Sequence, residues 1–205
     1  MRLVRMGIAL ATSIVVGNMM AEAVLLDKIL AVVNSEVLTL QDFEDHLALR
    51  RLFQPTAPEV DRQQALQRFV DHTLIRQEAV RTRIVEVTEA EIAQYIRAVE
   101  AQADGSARLA MLMQDRGMTR RQVQTWVRHQ LIVRGFIDRR IRLFVRVSEE
   151  QIAQYYQQHR QAIGEAWSKA VGEQIRQLLV EQQVNARLDG LVDDLRRKAT
   201  LDFPP

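Results

Sequence analysis

The stretch Asp27-Lys28-Ile29-Leu30-Ala31-Val32-Val33-Asn34-Ser35-Glu36-Val37-Leu38-Thr39-Leu40-Gln41-Asp42-Phe43 decides the fold. Ile29, Leu30, Val32 and Val33 form one β-like apolar run, and Val37 and Leu38 form a second. Asn34-Ser35-Glu36 lies between them, and asparagine tolerates turn geometry, so the segment reads as a hairpin. Thr39 follows as an N-cap, with Asp42 three positions on in the place of a capping box. The helix it opens buries Leu40, Phe43, Leu47 and Leu49, and Pro55 and Pro58 end it. A lone two-stranded hairpin is marginal in water. The far end of the chain offers a third strand: Ala199-Thr200-Leu201-Asp202-Phe203 is β-like and is closed by Pro204-Pro205. Residues 200–203 are expected to pair with 28–33 or 36–39, with Leu201 and Phe203 buried against the hairpin.

Between the two β segments the pattern is helical. Residues 59–83 carry Ala65, Leu66, Phe69, Val70, Thr73, Leu74 and Gln77 at three- and four-residue spacing. Thr88-Glu89-Ala90-Glu91 is a capping box ahead of Ile92, Tyr95, Ile96 and Val99. Asp104-Gly105-Ser106 breaks that helix, and a short Met-rich helix spans 107–115 with Gly117 as its C-cap. Thr119 caps a long helix to about residue 144, and Ser148-Glu149-Glu150-Gln151 is a further box before Ile152, Tyr155 and Tyr156. Residues 165–198 are again helical, weakened locally at Gly172 and Gly190. The expected fold class is mainly α: a multi-helix module whose small N-terminal hairpin is completed by a C-terminal strand.

Upstream of the hairpin, residues 1–23 read as a secretory signal peptide. Arg2 and Arg5 give a positive start, residues 6–16 are apolar and uncharged, and Ala21-Glu22-Ala23 supplies the small residues of a cleavage site. The apolar run is too short to span a bilayer core of about 30 Å. Cleavage is expected after Ala23, leaving 24–205 as a single domain in the periplasm without stable membrane insertion. With 47% hydrophobic and 26% charged residues among 205, the chain is globular rather than disordered. Its formal charge of +2 gives no nucleic-acid signal, so no nucleic-acid partner is expected.

Little in the sequence points to catalysis. Cysteine is absent, which removes disulfides, thiolate nucleophiles and cysteine-bound zinc together. His46, His72, His129 and His159 have no metal-ligand spacing and sit in polar stretches, so they read as solvated surface residues. No serine-hydrolase elbow, phosphate loop or dinucleotide fingerprint occurs. No catalytic residue, metal or cofactor is expected. The Asp193-Asp194 and Glu149-Glu150 pairs read as surface carboxylates facing arginines. The distinctive surface candidate is Leu109, Met111, Leu112, Met113 and Met118, because 109, 111 and 113 cannot all face inward on one helix. Methionine is flexible and polarizable, and suits surfaces that accept many partners. Trp126 and Tyr155 extend the list of candidate client-binding residues, with core filling as the alternative for all seven.

The 27–43 segment resembles the opening of the SurA-like periplasmic chaperones. The resemblance continues through Phe69–Glu78, Val87-Thr88-Glu89-Ala90-Glu91-Ile92, Gly117-Met118-Thr119 and the long helix after it. It then takes in Val147-Ser148-Glu149-Glu150-Gln151-Ile152 and the closing 175–203 segment. It implies an ATP-independent chaperone that binds unfolded outer-membrane or secreted polypeptides. With the export signal and the Leu109–Met118 cluster, the expected site is an apolar groove between a helical arm and the core. Members of the family usually carry a parvulin-type prolyl isomerase domain after the Val-Ser helix. Here Arg160 leads to Trp167 within a few residues, which argues against that activity. The alternatives are residual prolyl isomerase activity and a dedicated accessory for secretion or assembly of one partner. A homodimer is left open.

Overall fold

The computed structural model describes residues 27–204. The signal peptide assigned to 1–23, with its cleavage site, lies outside the described residues. The hairpin forms from β1 (Ile29–Val33) and β2 (Glu36–Thr39), joined by a turn in which Asn34 takes a left-handed φ of 58°. Seven α-helices follow: α1 (Leu40–Phe53), α2 (Arg62–Thr82), α3 (Glu89–Glu100), α4 (Gly105–Arg116), α5 (Arg120–Arg140), α6 (Glu149–Ile163) and α7 (Lys169–Lys198). A final strand, β3 (Leu201–Asp202), returns to the hairpin. The sheet is antiparallel in the order β2-β1-β3, so the C-terminal strand chooses the 28–33 segment of the two expected partners.

Local chemistry sets the helix starts. Thr39, Thr88, Thr119 and Ser148 each accept from the N3 amide, and the N3 side chain answers to the cap's own N–H, closing four capping boxes. One helix end and the closing strand differ from the sequence reading. The α5 helix stops at Arg140 rather than near 144. Ile141 and Val145 turn inward there to bury against Val184 of α7, and the chain between them tightens into a single 3-10 turn at Arg142–Phe144. In the closing strand, Leu201 packs on the hairpin core, but Phe203 lies beyond the last pairing and stays 45% exposed.

The packing divides into a head and an arm. In the head, one core joins Ala31, Val33 and Leu38 of the sheet to Phe43 of α1 and to Phe69, Val70 and Leu74 of α2. A second core gathers the end of α1 with α3, α4 and α5 around Phe53, Ile96, Val123 and Trp126. The arm is α6 laid along the first half of α7, sealed by Ile152, Tyr156, Val171 and Ile175. At 30 residues, α7 is about 45 Å long. Its second half packs Leu188, Leu191, Val192 and Leu195 against Ile75, Ala79 and Phe136 of the head. One helix therefore carries the arm and ties the C-terminal strand to the sheet. The turn from α6 to α7 occupies only Gly164–Ser168.

Candidate functional site

A cleft of about 490 Å³ opens on the head between β2, α1, α2 and α5. Its walls come from three helical stripes and one strand. On α1 they are Asp42, Asp45, His46 and Leu49; on α2, Phe69, His72, Thr73 and Arg76; on α5, Arg121, Gln122, Thr125, Trp126, His129 and Gln130. Each set follows three- and four-residue spacing, so each helix turns one face to the same space. Glu36, Val37 and Leu38 of β2 form the fourth wall, and Met118 with Thr119 closes the end.

The inner surface is ring-rich. The indole N–H of Trp126 donates to His46 Nδ1 at 3.2 Å. The His46 ring lies 4.7 Å from Phe69 and 5.6 Å from His72, centroid to centroid. Gln130 Nε2 lies 3.0 Å from His72 Nε2. An amide nitrogen only donates, so His72 accepts there and carries its proton on Nδ1. Burial is the main cause that keeps these imidazoles neutral. It pulls His46 down to about 4, with Arg50 adding to it. His72 falls to about 3, with His46, His129 and Arg76 adding and the Gln130 bond opposing. His129 falls to about 4, with Arg76 adding and Glu36 opposing.

The rim carries charge. Arg76 pairs with Glu36 and thereby holds α2 to β2, while Gln77 Nε2 donates to Val33 O at 3.2 Å and to Glu36 Oε2 at 3.1 Å. The Asp45 carboxyl is held above its ordinary range, chiefly by burial, against the pull of Arg116 and with the crowding of Asp42, Asp27 and Glu44. Two of the cleft hydroxyls are engaged. Thr73 Oγ1 donates to Phe69 O at 3.0 Å, and Thr119 Oγ1 donates to Gln122 Oε1 at 2.8 Å. No set of three metal-ligating side chains is grouped for an ion among the described residues. Apolar and aromatic walls with convergent donors and acceptors make a binding surface.

The structure separates the seven candidate client-binding residues. Met118 and Trp126 line the cleft, yet at 6% and 8% exposed both also belong to the α1–α3–α4–α5 core. Leu109 is 1% exposed inside the α1–α3–α4–α5 core, and Leu112 and Met113 pack against that core. Met111 points outward, 62% exposed. Tyr155 belongs to the arm, where it stacks on His159 at 4.0 Å. The histidines need a correction. His159 is exposed as expected, but His46, His72 and His129 are half-buried in the cleft. They follow Phe43, Phe69 and Trp126 by three positions, a spacing that puts each beside a buried ring. That signal alone does not discriminate, since His159 follows buried Tyr156 by the same three.

The family model of the SurA-like N-terminal domain matches residues 4–137, about two thirds of the chain. The chain belongs to the SurA-like N-terminal domain family. Every helix that walls the cleft, α1, α2 and α5, begins within the matched span, as does β2. The fold also matches a solved structure described with the virulence factor PEB4 and the periplasmic protein Cj1289, two structurally related SurA-like chaperones of Campylobacter jejuni. The TM-score is 0.53 at 12% identity, over 87% of this chain and 99% of that one. At that identity the likeness concerns the fold. No curated protein matches the sequence. The SurA-like chain passes from α6 to α7 through Gly164–Ser168, so no domain is inserted between them. No helix among the described residues is long and apolar enough to cross a membrane.

Proposed function

We propose that this chain is an ATP-independent periplasmic chaperone that holds unfolded outer-membrane or secreted polypeptides, and that the cleft between β2, α1, α2 and α5 is where they bind. The family membership and the export-like N-terminus support the setting. The cleft carries the reading of the site. It is a concave surface whose rings, Met118 and half-buried imidazoles fit apolar and aromatic side chains of varied shape. Met118 and Trp126 are the two sequence candidates retained as walls. The exposed Leu143, Phe144 and Trp167 add apolar surface outside the cleft and supply secondary contacts.

A chaperone of this kind needs no chemical step, only weak adaptable contact and release. Affinity on the order of micromolar, about −8 kcal/mol, serves that purpose. The chain acts as one domain over 24–205 and has no prolyl isomerase activity. The test is suppression of outer-membrane-protein aggregation by a Thr125→Trp variant. Thr125 is exposed at the cleft mouth, so the larger ring fills the cleft without entering a core. Protection should fall while the melting temperature holds. Full protection by a folded Thr125→Trp protein would place the client elsewhere.

A further inference from the structure

The strand that walls the cleft is an open edge of the sheet. In the order β2-β1-β3, β1 is central and, among the described residues, β2 has β1 on one side alone. Bonded and non-bonded pairs alternate along an antiparallel ladder. Asn34 N–H donates to Thr200 O at 2.8 Å, so the even-numbered side of β1 faces β3 and Val33 faces β2. Val33 and Glu36, which close the turn, are then the bonded pair, and Val32 with Val37 is the non-bonded one. The N–H and C=O of Val37 therefore point away from β1, toward the cleft that Val37 lines. Among the described residues neither group has a hydrogen-bond partner, and Val37 is 47% exposed.

We propose that an extended client segment adds to β2 as a fourth strand, its backbone paired with Val37 and its alternate side chains set in the cleft against His46, Met118 and Trp126. This rests on the polypeptide-binding reading of the cleft and specifies its mode. The occupant follows from the edge itself. A free N–H and C=O at strand spacing are complemented by another extended backbone, whereas a helix has already spent those groups internally. Period-two alternation then sends every second client side chain to the cleft and the rest to water. Backbone pairing is indifferent to sequence, and the ring-lined cleft asks only for apolar or aromatic groups at alternate positions. Charge at the cleft is mixed, since Asp42 caps α1 through Thr39, Asp45 pairs with Arg116, and Arg76 and Arg121 line the same space, so the pairing groups of the edge rather than charge define the occupant.

The probe is a short synthetic peptide alternating Phe and Thr with terminal lysines, titrated onto the full chain. Val37→Pro removes the edge donor at a position where proline is tolerated, and Val37→Ala keeps it. Val37→Pro should weaken binding about tenfold, and Val37→Ala about twofold at most. Peptides N-methylated at single positions test the same bond without altering the protein. One alternate set should lose binding and the other keep it. The Val37 amide should gain protection from hydrogen exchange when peptide is added. Equal binding of all N-methylated peptides, with Thr125→Trp still blocking them, overturns strand addition and leaves the cleft reading standing. Protection of the Val37 amide before peptide is added overturns it as well, because another segment or a second copy then holds the edge. A wild-type protein that binds no such peptide overturns both readings.

Discussion

Trp126 and His46, 80 positions apart in sequence, meet where the indole N–H donates to His46 Nδ1 at 3.2 Å. The bond joins α5 to α1 across the floor of the cleft and needs a neutral imidazole. Protonated His46 would present a donor to a donor. The state of the cleft is thus linked to pH through the three imidazoles that line it.

The sign follows from the depressed values. His46 and His129 titrate near 4 and His72 near 3 in the folded chain, against an ordinary value near 6.5. The unfolded chain therefore binds more protons across that interval. Stability is complete above about pH 6.5 and falls as pH drops toward 4, by at most about 1.4 kcal/mol per unit for each imidazole. Melting curves in that window should show the decline, and His72→Gln, which keeps an acceptor for Gln130, should show a shallower one. An identical slope in His72→Gln would remove that histidine from the account.

The N-terminal hairpin and the C-terminal strand are locked together at one residue. Asn34 N–H donates to Thr200 O at 2.8 Å, Thr200 N–H donates to Asn34 Oδ1 at 3.0 Å, and Asn34 Nδ2 donates to Gln77 Oε1 at 2.7 Å. The left-handed φ adds a backbone demand that glycine meets and alanine does not. Asn34→Gly should cost about 1–2 kcal/mol through its lost bonds, and Asn34→Ala about 1 kcal/mol more. Chemical denaturation of the pair checks the order, and a more stable Asn34→Ala would contradict the lock.

Gly105 opens α4 against the end of α3. A Cβ built there falls 2.0 Å from the Val99 carbonyl oxygen, a backbone atom that cannot step aside. Gly105→Ala should destabilise the head by several kcal/mol, on the scale of overpacking. Gly190, with open space around it, is the control, and its alanine variant should be neutral or stabilising by up to about 1 kcal/mol. Thermal melts of both variants decide the matter.

A proline-limited refolding assay tests the absence of isomerase activity. The chain should leave the slow phase unchanged at stoichiometric concentration. Acceleration that a single substitution in the cleft abolishes would contradict the proposal.

The hairpin, three of the four capping boxes, the Thr119 cap and the returning strand were legible because each depends on neighbours a few positions away or on one unmet need, the third strand. The cleft was not. His46, His72 and His129 sit in polar stretches, and their burial arises only when α1, α2 and α5 converge. His159 shares their spacing from an aromatic residue and is exposed, since α6 packs mainly on α7 and nothing covers that side. The Met-rich helix misled in the opposite direction. Alternation at 109, 111 and 113 correctly implied that one residue faces outward, Met111, but its neighbours fill the head core. The end of α5 depended on Val184, a contact 43 positions beyond Ile141.

The most direct test of the central claim is site-specific photocrosslinking to an unfolded outer-membrane protein. The photoreactive residue is placed at Thr125 on the cleft rim and, separately, at exposed Met111 of α4, which does not line the cleft. The account predicts strong client capture from position 125 and little from 111. Equal capture at both positions, or capture at 111 alone, would contradict it.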